Sequence, residues 1–245
     1  MTSDQTTNLD LGATTTKDVL RGVLSRPTSA VGRRVLDIGC GSGAVTRLLL
    51  RDGLDALGIE PNAELLADAL ADAARPAPPG RWIAARAEHL PIEGGSVDVV
   101  LFCNSLHHIG PELQLAALAE AARVLRPGGE VVVIEPVAEG DFFELLRPLD
   151  DETAVRAAAR QALGAAADRG FLRPVSSARF ATFVACASPA ELVAGFTRAD
   201  PARAARAHAV TAEIAGRFRA LGEAAADGKR RFAQPMTLHR LQKPG

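Results

Sequence analysis

The sequence has little of several features that mark whole classes of protein. Only three of its 245 residues are cysteines, widely spaced and without a Cys-x-x-Cys pair, so neither a disulfide framework nor a zinc site is predicted. No apolar run approaches the ~18 residues of a membrane span, and the first ten residues do not resemble a signal peptide. A formal net charge of −1 gives no general attraction to nucleic acid. We therefore expect a cytoplasmic protein with no metal and no nucleic-acid or membrane partner.

Composition and the order of apolar segments predict one α/β domain with a smaller appended part. Hydrophobic residues make up 47% and charged residues 23% of the chain, as in ordinary globular proteins. Up to residue 136, short and almost continuously apolar strands alternate with helices, which is typical of a parallel, doubly wound, Rossmann-like sheet covered on both faces. The predicted strands are Arg34–Ile38, Asp55–Ile59, Arg81–Arg86, Val97–Phe102 and Glu130–Glu135, and the predicted helices are Ala44–Arg51, Asn62–Ala74 and Glu112–Leu125.

Two segments flank this core of residues 31–136. Residues 1–30 are predicted to form a helical lid, because Thr14–Leu24 has apolar positions spaced for one amphipathic helix. Residues 137–245 are predicted to form a mostly helical cap whose alanine-rich helices suit packing within one chain or in a homodimer. The cap is predicted to contain helical stretches Thr153–Ala167 and Ala199–Ala226 and strands Arg179–Ala185 and Phe232–Leu241.

The phenylalanines are concentrated in the cap, where eight of the nine lie. Aromatic side chains usually pack together, so one interpretation is a second small core beneath the helices. The other interpretation is an apolar pocket for a substrate. The sequence leaves both open.

A glycine-rich loop at residues 39–43 follows the first strand of the core and leads directly into a helix. This places the glycines at the carboxyl edge of the sheet, where open α/β sheets bind ligands. Glycine allows the tight turn and the close approach of main chain to ligand. The loop alone is weak evidence, because Gly39-x-Gly41-x-x-Ala44 also fits a dinucleotide-binding pattern, and Glu60 could bind ribose hydroxyls in either case.

Asp37 helps to decide between a dinucleotide and a ligand that carries no phosphate. A carboxylate at the end of the strand would repel a pyrophosphate, but it suits the ammonium group of a methionine moiety, directly or through water. S-adenosylmethionine contains that moiety and no phosphate. The residues around the loop therefore favour S-adenosylmethionine over a nicotinamide dinucleotide, with a nicotinamide-dependent oxidoreductase as the rival.

Four motifs give the chain a family resemblance. They are VLDIGCGSG (35–43), GIEPN (58–62), AEHLPIEGGSVDVV (87–100) and LRPGGEVVVIEP (125–136). In this order and spacing, the chain resembles a class I S-adenosylmethionine-dependent methyltransferase of the UbiE-like group. The resemblance implies a sheet of seven strands with the last one antiparallel, S-adenosylmethionine as cofactor, and S-adenosylhomocysteine as product.

The resemblance also implies roles for individual residues. Asp37 and the loop glycines would line the methionine end of the cofactor, Glu60 would bind the ribose, and Glu88 would flank the adenine. Arg86 departs from the family pattern, because many relatives have an acidic residue there that reads the adenine amino group. The cofactor-binding set implied by the resemblance is Asp37, Gly39, Cys40, Gly41, Gly43, Glu60, Pro61, Ala87, Glu88 and Asn104.

Candidate catalytic residues follow the fourth and fifth strands. His107 and His108 lie at the sheet edge where the transferred methyl group is expected, so one of them could remove a proton from an acceptor. Loop packing or hydrogen bonding is the more common role of such residues. Glu135 is a further candidate. Because the sulfonium is already a good leaving group, a general base is optional.

The predicted function is methyl transfer to a small or medium-sized, apolar or aromatic molecule. One alternative keeps the cofactor but uses it for decarboxylation, hydroxylation or cyclisation. Another is a catalytically silent binding subunit.

Overall fold

The computed structural model describes residues 7–24, 32–71, 81–198 and 201–245. In these residues the chain forms one twisted sheet with helices on both faces. The strands are β1 Thr7–Ala13, β2 Arg34–Ile38, β3 Asp55–Ile59, β4 Trp82–Ile83, β5 Val97–Cys103, β6 Leu125–Pro136, β7 Arg173–Cys186, β8 Glu223–Ala224 and β9 Arg230–Gln242. The helices are α1 Thr16–Leu24, α2 Ala44–Arg51, α3 Ala63–Ala71, α4 Pro111–Val124, α5 Asp141–Leu146, α6 Thr153–Asp168, α7 Pro189–Thr197 and α8 Pro201–Ala220.

The sheet has the strand order β1-β7-β9-β6-β5-β2-β3-β4, with β8 beside β9. Strand β9 is antiparallel to β6, β7 and β8, and the other neighbouring pairs are parallel. The predicted α/β class and the antiparallel last long strand are therefore confirmed. The described part has nine strands rather than the expected seven, because β1 adds an edge beside β7 and the two-residue β8 pairs with β9.

Both faces of the sheet are buried, which explains why its strands are continuously apolar. Successive residues of β5 alternate between two core clusters, with Val100 and Phe102 on the face covered by α4 and α6 and Val99 and Leu101 on the other. None of these four side chains is exposed.

The N-terminal segment differs from the predicted helical lid. It begins with strand β1, and α1 packs Val19, Leu20 and Leu24 into the same core cluster as Leu48 and Leu49 of α2. The apolar side of α1 therefore packs against one face of the sheet. It does not cover the carboxyl edge, as a lid would.

Several boundaries also differ from prediction. Strand β4 is shorter than Arg81–Arg86. Its ladder with β3 ends at the bond from Glu60 N to Ile83 O, because the next N–H on that side, Asn62 N, donates to the Glu60 carboxylate instead. Strand β6 is longer than Glu130–Glu135, since it begins at Leu125 and its pairing with β5 shifts register between Leu125 and Glu130. The end predicted for the helix at Ala74 lies outside the described residues.

The cap contains more helices and strands than the sequence predicted. The stretch Ala199–Ala226 contains α8 and then β8, and α5 and α7 were not predicted. Helices α5 and α8 pack with β9 around a third core cluster that contains Phe142, Phe218 and Phe232. None of the helices in the described ranges is long and apolar enough to cross a membrane.

Candidate functional site

The glycine loop has a backbone that side chains other than glycine rarely adopt. Gly39, Gly41 and Gly43 have φ angles of 69°, 54° and 83°. The loop is held against β3, because Gly39 N and Cys40 N both donate to Ile59 O, at 2.8 and 3.0 Å. A Cβ on Gly39 would lie 2.6 Å from Ser105 Cβ, whereas one on Gly41 would meet no atom within 4 Å. The loop is therefore packed on one side and open on the other.

The open side of the loop faces a cavity of about 690 Å³, here called the glycine-loop cavity. It lies at the carboxyl ends of β2, β3, β4 and β5, which is the position expected for a ligand in this type of sheet. Helices α7 and α8 contribute to its wall through Gly195, Phe196 and Arg203. Seven of the ten predicted cofactor residues line it: Gly39, Gly41, Glu60, Pro61, Ala87, Glu88 and Asn104.

Glu60 is the best-defined polar group of this cavity. Its two carboxylate oxygens accept hydrogen bonds from Gly41 N and Asn62 N, each at 2.8 Å. These bonds fix the carboxylate between the end of β3 and the glycine loop. Because each carboxylate oxygen can accept more than one hydrogen bond, Glu60 can still bind a pair of ligand hydroxyls.

Asp37 lies behind the loop and not among the residues that line the cavity. Its side chain is 1% exposed and accepts a hydrogen bond of 2.6 Å from Thr46 Oγ1 in the first turn of α2. A carboxylate here stabilises the N-terminal end of the helix. Burial raises the pKa of Asp37 to about 6. The structure thus gives Asp37 a role in holding α2 beneath the loop.

Replacing Asp37 with asparagine is expected to change how stability depends on pH. The pKa of Asp37 rises from 3.8 in the unfolded chain to about 6 in the folded one, so the folded state binds more protons between these values and the wild type loses stability as pH rises through them. Relative to the wild type, D37N should gain about 2 kcal/mol in unfolding free energy from pH 4 to pH 7, because a pKa unit corresponds to about 1.4 kcal/mol and part of the effect is already present at pH 4. Urea denaturation at both pH values measures this. The exposed control D227N should show no such gain, and a pH-independent difference for D37N would contradict the assignment.

Cys40 and Gly43 also do not line the cavity. A Cβ on Gly58 would lie 2.6 Å from Cys40 Sγ, so this thiol packs against β3 as a small side chain. Burial and the nearby carboxylates of Asp37 and Glu60 raise the pKa of Cys40 to about 12, which keeps the thiol protonated and unreactive. At Gly43, a Cβ would lie 2.7 Å from Trp82 Nε1, so glycine is needed for the indole to pack there.

Arg86 and Glu88 form an ion pair at the cavity wall, with Arg86 Nε 2.5 Å from Glu88 Oε1. Burial is the largest single influence on Glu88 and raises its pKa, but the hydrogen bonds it accepts from Arg86 and from backbone, together with the charge of Arg86, outweigh burial and leave the pKa below its usual value. The arginine that departs from the family pattern therefore holds the neighbouring carboxylate in place.

Glu135 anchors the loop that follows β5. Its Oε1 accepts hydrogen bonds from Ser105 N and Leu106 N, both at 2.9 Å, and its Oε2 contacts His107 Nδ1. His107 is 3% exposed, and its Nε2 lies 3.8 Å from Glu152 Oε2. Both ring nitrogens of His107 thus face carboxylates of the protein.

His108 has a different environment from its neighbour. Its side chain is 50% exposed and lines the glycine-loop cavity. Partial burial in this recess and the adjacent His107 lower the pKa of His108, so its ring is neutral at pH 7. Of the two predicted histidines, His108 is the one with access to a ligand in this cavity.

A second cavity of about 300 Å³ adjoins the first and is here called the phenylalanine cavity. Phe142, Phe143 and Phe196 form part of its apolar wall. Phe218 and Phe232 instead pack on each other, with ring centroids 5.1 Å apart, so the cap phenylalanines include rings of a small core as well as rings that line a cavity. The residues that line both cavities are Asn104, His108, Phe196 and Arg203.

One group of possible metal ligands occurs at this junction. Donor atoms of His107, His108 and Glu152 lie within 4.8 Å of one another. However, Glu152 is already ion-paired with Arg156 at 2.5 Å and with Arg203 at 3.3 Å. Two guanidinium groups so close to the carboxylate oppose the binding of a further cation.

The cap residues of the site were not predicted from the sequence. Phe196 and Arg203 lie more than 90 positions after Asn104, in helices without a recognised motif. The clustering of phenylalanines after residue 136 was the only signal for Phe196, and it did not distinguish this ring from those of the core.

Comparisons with known proteins agree with this geometry. A family model described as a methyltransferase domain matches residues 36–133. An uncharacterized methyltransferase of Mycobacterium tuberculosis is 39% identical over 106 residues, which are 43% of this chain and 40% of the relative. The chain thus matches less than half the length of that relative.

Solved structures show the same fold over most of the chain. The YcgJ protein of Bacillus subtilis has a TM-score of 0.59 at 18% identity, covering 94% of this chain and 98% of that one. The cyclase SpnF has a TM-score of 0.58 at 20% identity, covering 93% and 80%. The ordered motifs, the matching family model and the position of the cavity lead to one conclusion: residues 36–133 are a methyltransferase domain of the class I S-adenosylmethionine-dependent type.

Proposed function

We propose that the protein transfers a methyl group from S-adenosylmethionine, bound in the glycine-loop cavity, to a small apolar or aromatic acceptor in the phenylalanine cavity. The observation that carries this proposal is that the two cavities meet at Asn104, His108, Phe196 and Arg203. Donor and acceptor can therefore be held next to each other behind the cap helices, which exclude water.

The residues of the glycine-loop cavity fit the cofactor. Glu60 offers carboxylate oxygens to a ribose diol, and the bare backbone at Gly41 leaves room for the methionine part. Leu65 and Ala85 supply apolar surface for the adenine. When bound, S-adenosylmethionine supplies the methyl group on a sulfonium with a good leaving group.

His108 is the proposed general base. As a neutral imidazole at the junction of the cavities, it can take the proton that an acceptor O–H or N–H loses when its new bond to the methyl carbon forms. Glu135 acts at a distance as a positioning residue, because it binds Ser105 N and Leu106 N and so fixes the turn that carries His108. Asn104, with a φ of 54°, begins this turn and lines both cavities.

Incubation with S-adenosylmethionine and a panel of small phenols, amines and carboxylates tests the proposed function, with chromatography of the products. We expect S-adenosylhomocysteine and methylated acceptor in equal amounts. Conversion of an acceptor without S-adenosylhomocysteine would instead support the non-methylating alternative. A bound cofactor with no conversion of any acceptor would support the silent binding subunit.

Replacing His108 with glutamine should lower kcat about 100-fold, because a positioned general base contributes about 10² or more to the rate. The affinity for S-adenosylhomocysteine should change less than threefold, since Glu60 and the glycine loop are untouched. The matched control is H208Q, at an exposed histidine of α8 that lines neither cavity. A kcat of H108Q equal to that of H208Q would rule out His108 as the base.

A further inference from the structure

A third concavity lies beside the phenylalanine cavity, between α6 and the strands β6, β7 and β9. This groove, here called the α6 groove, has a volume of about 280 Å³. Pro136 and Arg156 line both the groove and the phenylalanine cavity, so the two spaces adjoin. A ligand in the phenylalanine cavity therefore lies next to the groove.

The carboxylates of the α6 groove already have partners. Glu139 Oε2 accepts a hydrogen bond of 3.1 Å from Arg179 Nη2. Glu135 is saturated by the backbone N–H groups of residues 105 and 106 and by His107. Neither carboxylate is therefore available to neutralise another cation in the groove.

Some hydrogen-bond donors that line the groove have no acceptor among the described residues. Within the described ranges, Arg160 forms no ion pair or hydrogen bond, although its guanidinium carries five N–H donors. The half-buried ring of His239 lies near it, and burial together with the charge of Arg160 lowers the pKa of His239. A neutral imidazole still offers one N–H. The groove thus has a positive charge and donors that no acceptor in the described chain matches.

We propose, on the basis of the proposed function, that the α6 groove binds an anionic end of the methyl acceptor, a carboxylate or a phosphate monoester, while the acceptor's apolar ring occupies the phenylalanine cavity. Arg160 supplies the charge-assisted hydrogen bonds to this anion, and His239 supplies a further donor. The adjoining volumes, about 300 and 280 Å³, suit one ring with a short acidic side chain.

Calorimetric titration of the full chain, with and without S-adenosylhomocysteine, tests the groove directly. The probes are 3-phenylpropanoate, 2-phenylethyl phosphate and the neutral 3-phenylpropanamide. At least one anion should bind about tenfold more tightly than the amide, and the tighter of the two identifies the preferred group. R160Q should reduce this preference to less than twofold, whereas R206Q, at an exposed arginine of α8 that lines no cavity described above, should keep it. Thermal unfolding of both variants checks that they are folded.

Equal binding of the anions and the amide, no binding of any probe, or a preference that survives in R160Q would each overturn the proposal. A turnover assay separates this failure from failure of the proposed function. With 3-(4-hydroxyphenyl)propanoate and its amide as acceptors, equal KM values would reject the groove but leave methyl transfer standing. Binding that depends on Arg160 without any S-adenosylhomocysteine formation would reject methyl transfer but leave the groove standing.

Discussion

Replacing Gly39 with alanine is expected to lower the free energy of unfolding by about 3 kcal/mol and to abolish cofactor binding. A φ of 69° costs about 1–2 kcal/mol for a residue with a Cβ. The new methyl group would also lie 2.6 Å from Ser105 Cβ. Ser105 cannot easily move, because its hydroxyl donates to Ile38 O at 2.6 Å and its backbone N–H to Glu135, and such overpacking costs about 1–3 kcal/mol. Urea denaturation and calorimetric titration with S-adenosylhomocysteine measure the two effects.

Gly41→Ala is the matched control for this substitution. Gly41 also has a positive φ, 54°, but a Cβ there would meet no atom within 4 Å. G41A should therefore lose only about 1 kcal/mol of stability from the backbone conformation. If G39A proved as stable as G41A, this would contradict the close packing of the loop against the turn at Ser105.

Replacing Glu60 with glutamine is expected to weaken the binding of S-adenosylmethionine about 100-fold. The carboxylate accepts a hydrogen bond on each oxygen, from Gly41 N and Asn62 N. An amide has only one acceptor oxygen, so its NH₂ group would face one of these N–H donors and displace the loop. Hydrogen bonds to a charged group contribute about 1.5–3 kcal/mol, which corresponds to about 10- to 100-fold in affinity, and the bonds proposed to the ribose add to this.

The control for this variant is Glu64→Gln, at an exposed glutamate in the first turn of α3 that does not line the cavity. E64Q should bind S-adenosylmethionine as the wild type does. An affinity of E60Q within threefold of the wild type would show that Glu60 has no part in holding the ligand.

The cofactor side of the site could be predicted largely from the sequence, because it is built from short contiguous segments. Gly39, Gly41, Glu60 and Ala87 each directly follow or lie near the end of a strand, and a parallel sheet brings these ends together whatever the rest of the chain does. The sequence did not show in which direction the side chain of Asp37 points at the end of β2. Asp37 was expected at the ligand, but it is buried against Thr46.

The acceptor side could not be predicted in the same way. Phe196 and Arg203 reach the junction through α7 and α8, and their placement depends on how these helices pack on α5 and β9 rather than on a local pattern. Strand β1 was missed for a related reason. It is an edge strand paired only with β7, so its sequence does not need the continuous apolar run of a central strand.

The central claim is that the glycine-loop cavity holds S-adenosylmethionine. Calorimetric titration of the full chain with S-adenosylmethionine and, separately, with NAD tests it most directly. We expect one S-adenosylmethionine per chain with a Kd in the micromolar range, on the order of −8 kcal/mol of binding free energy, and no measurable binding of NAD. Saturable binding of NAD without binding of S-adenosylmethionine would contradict it.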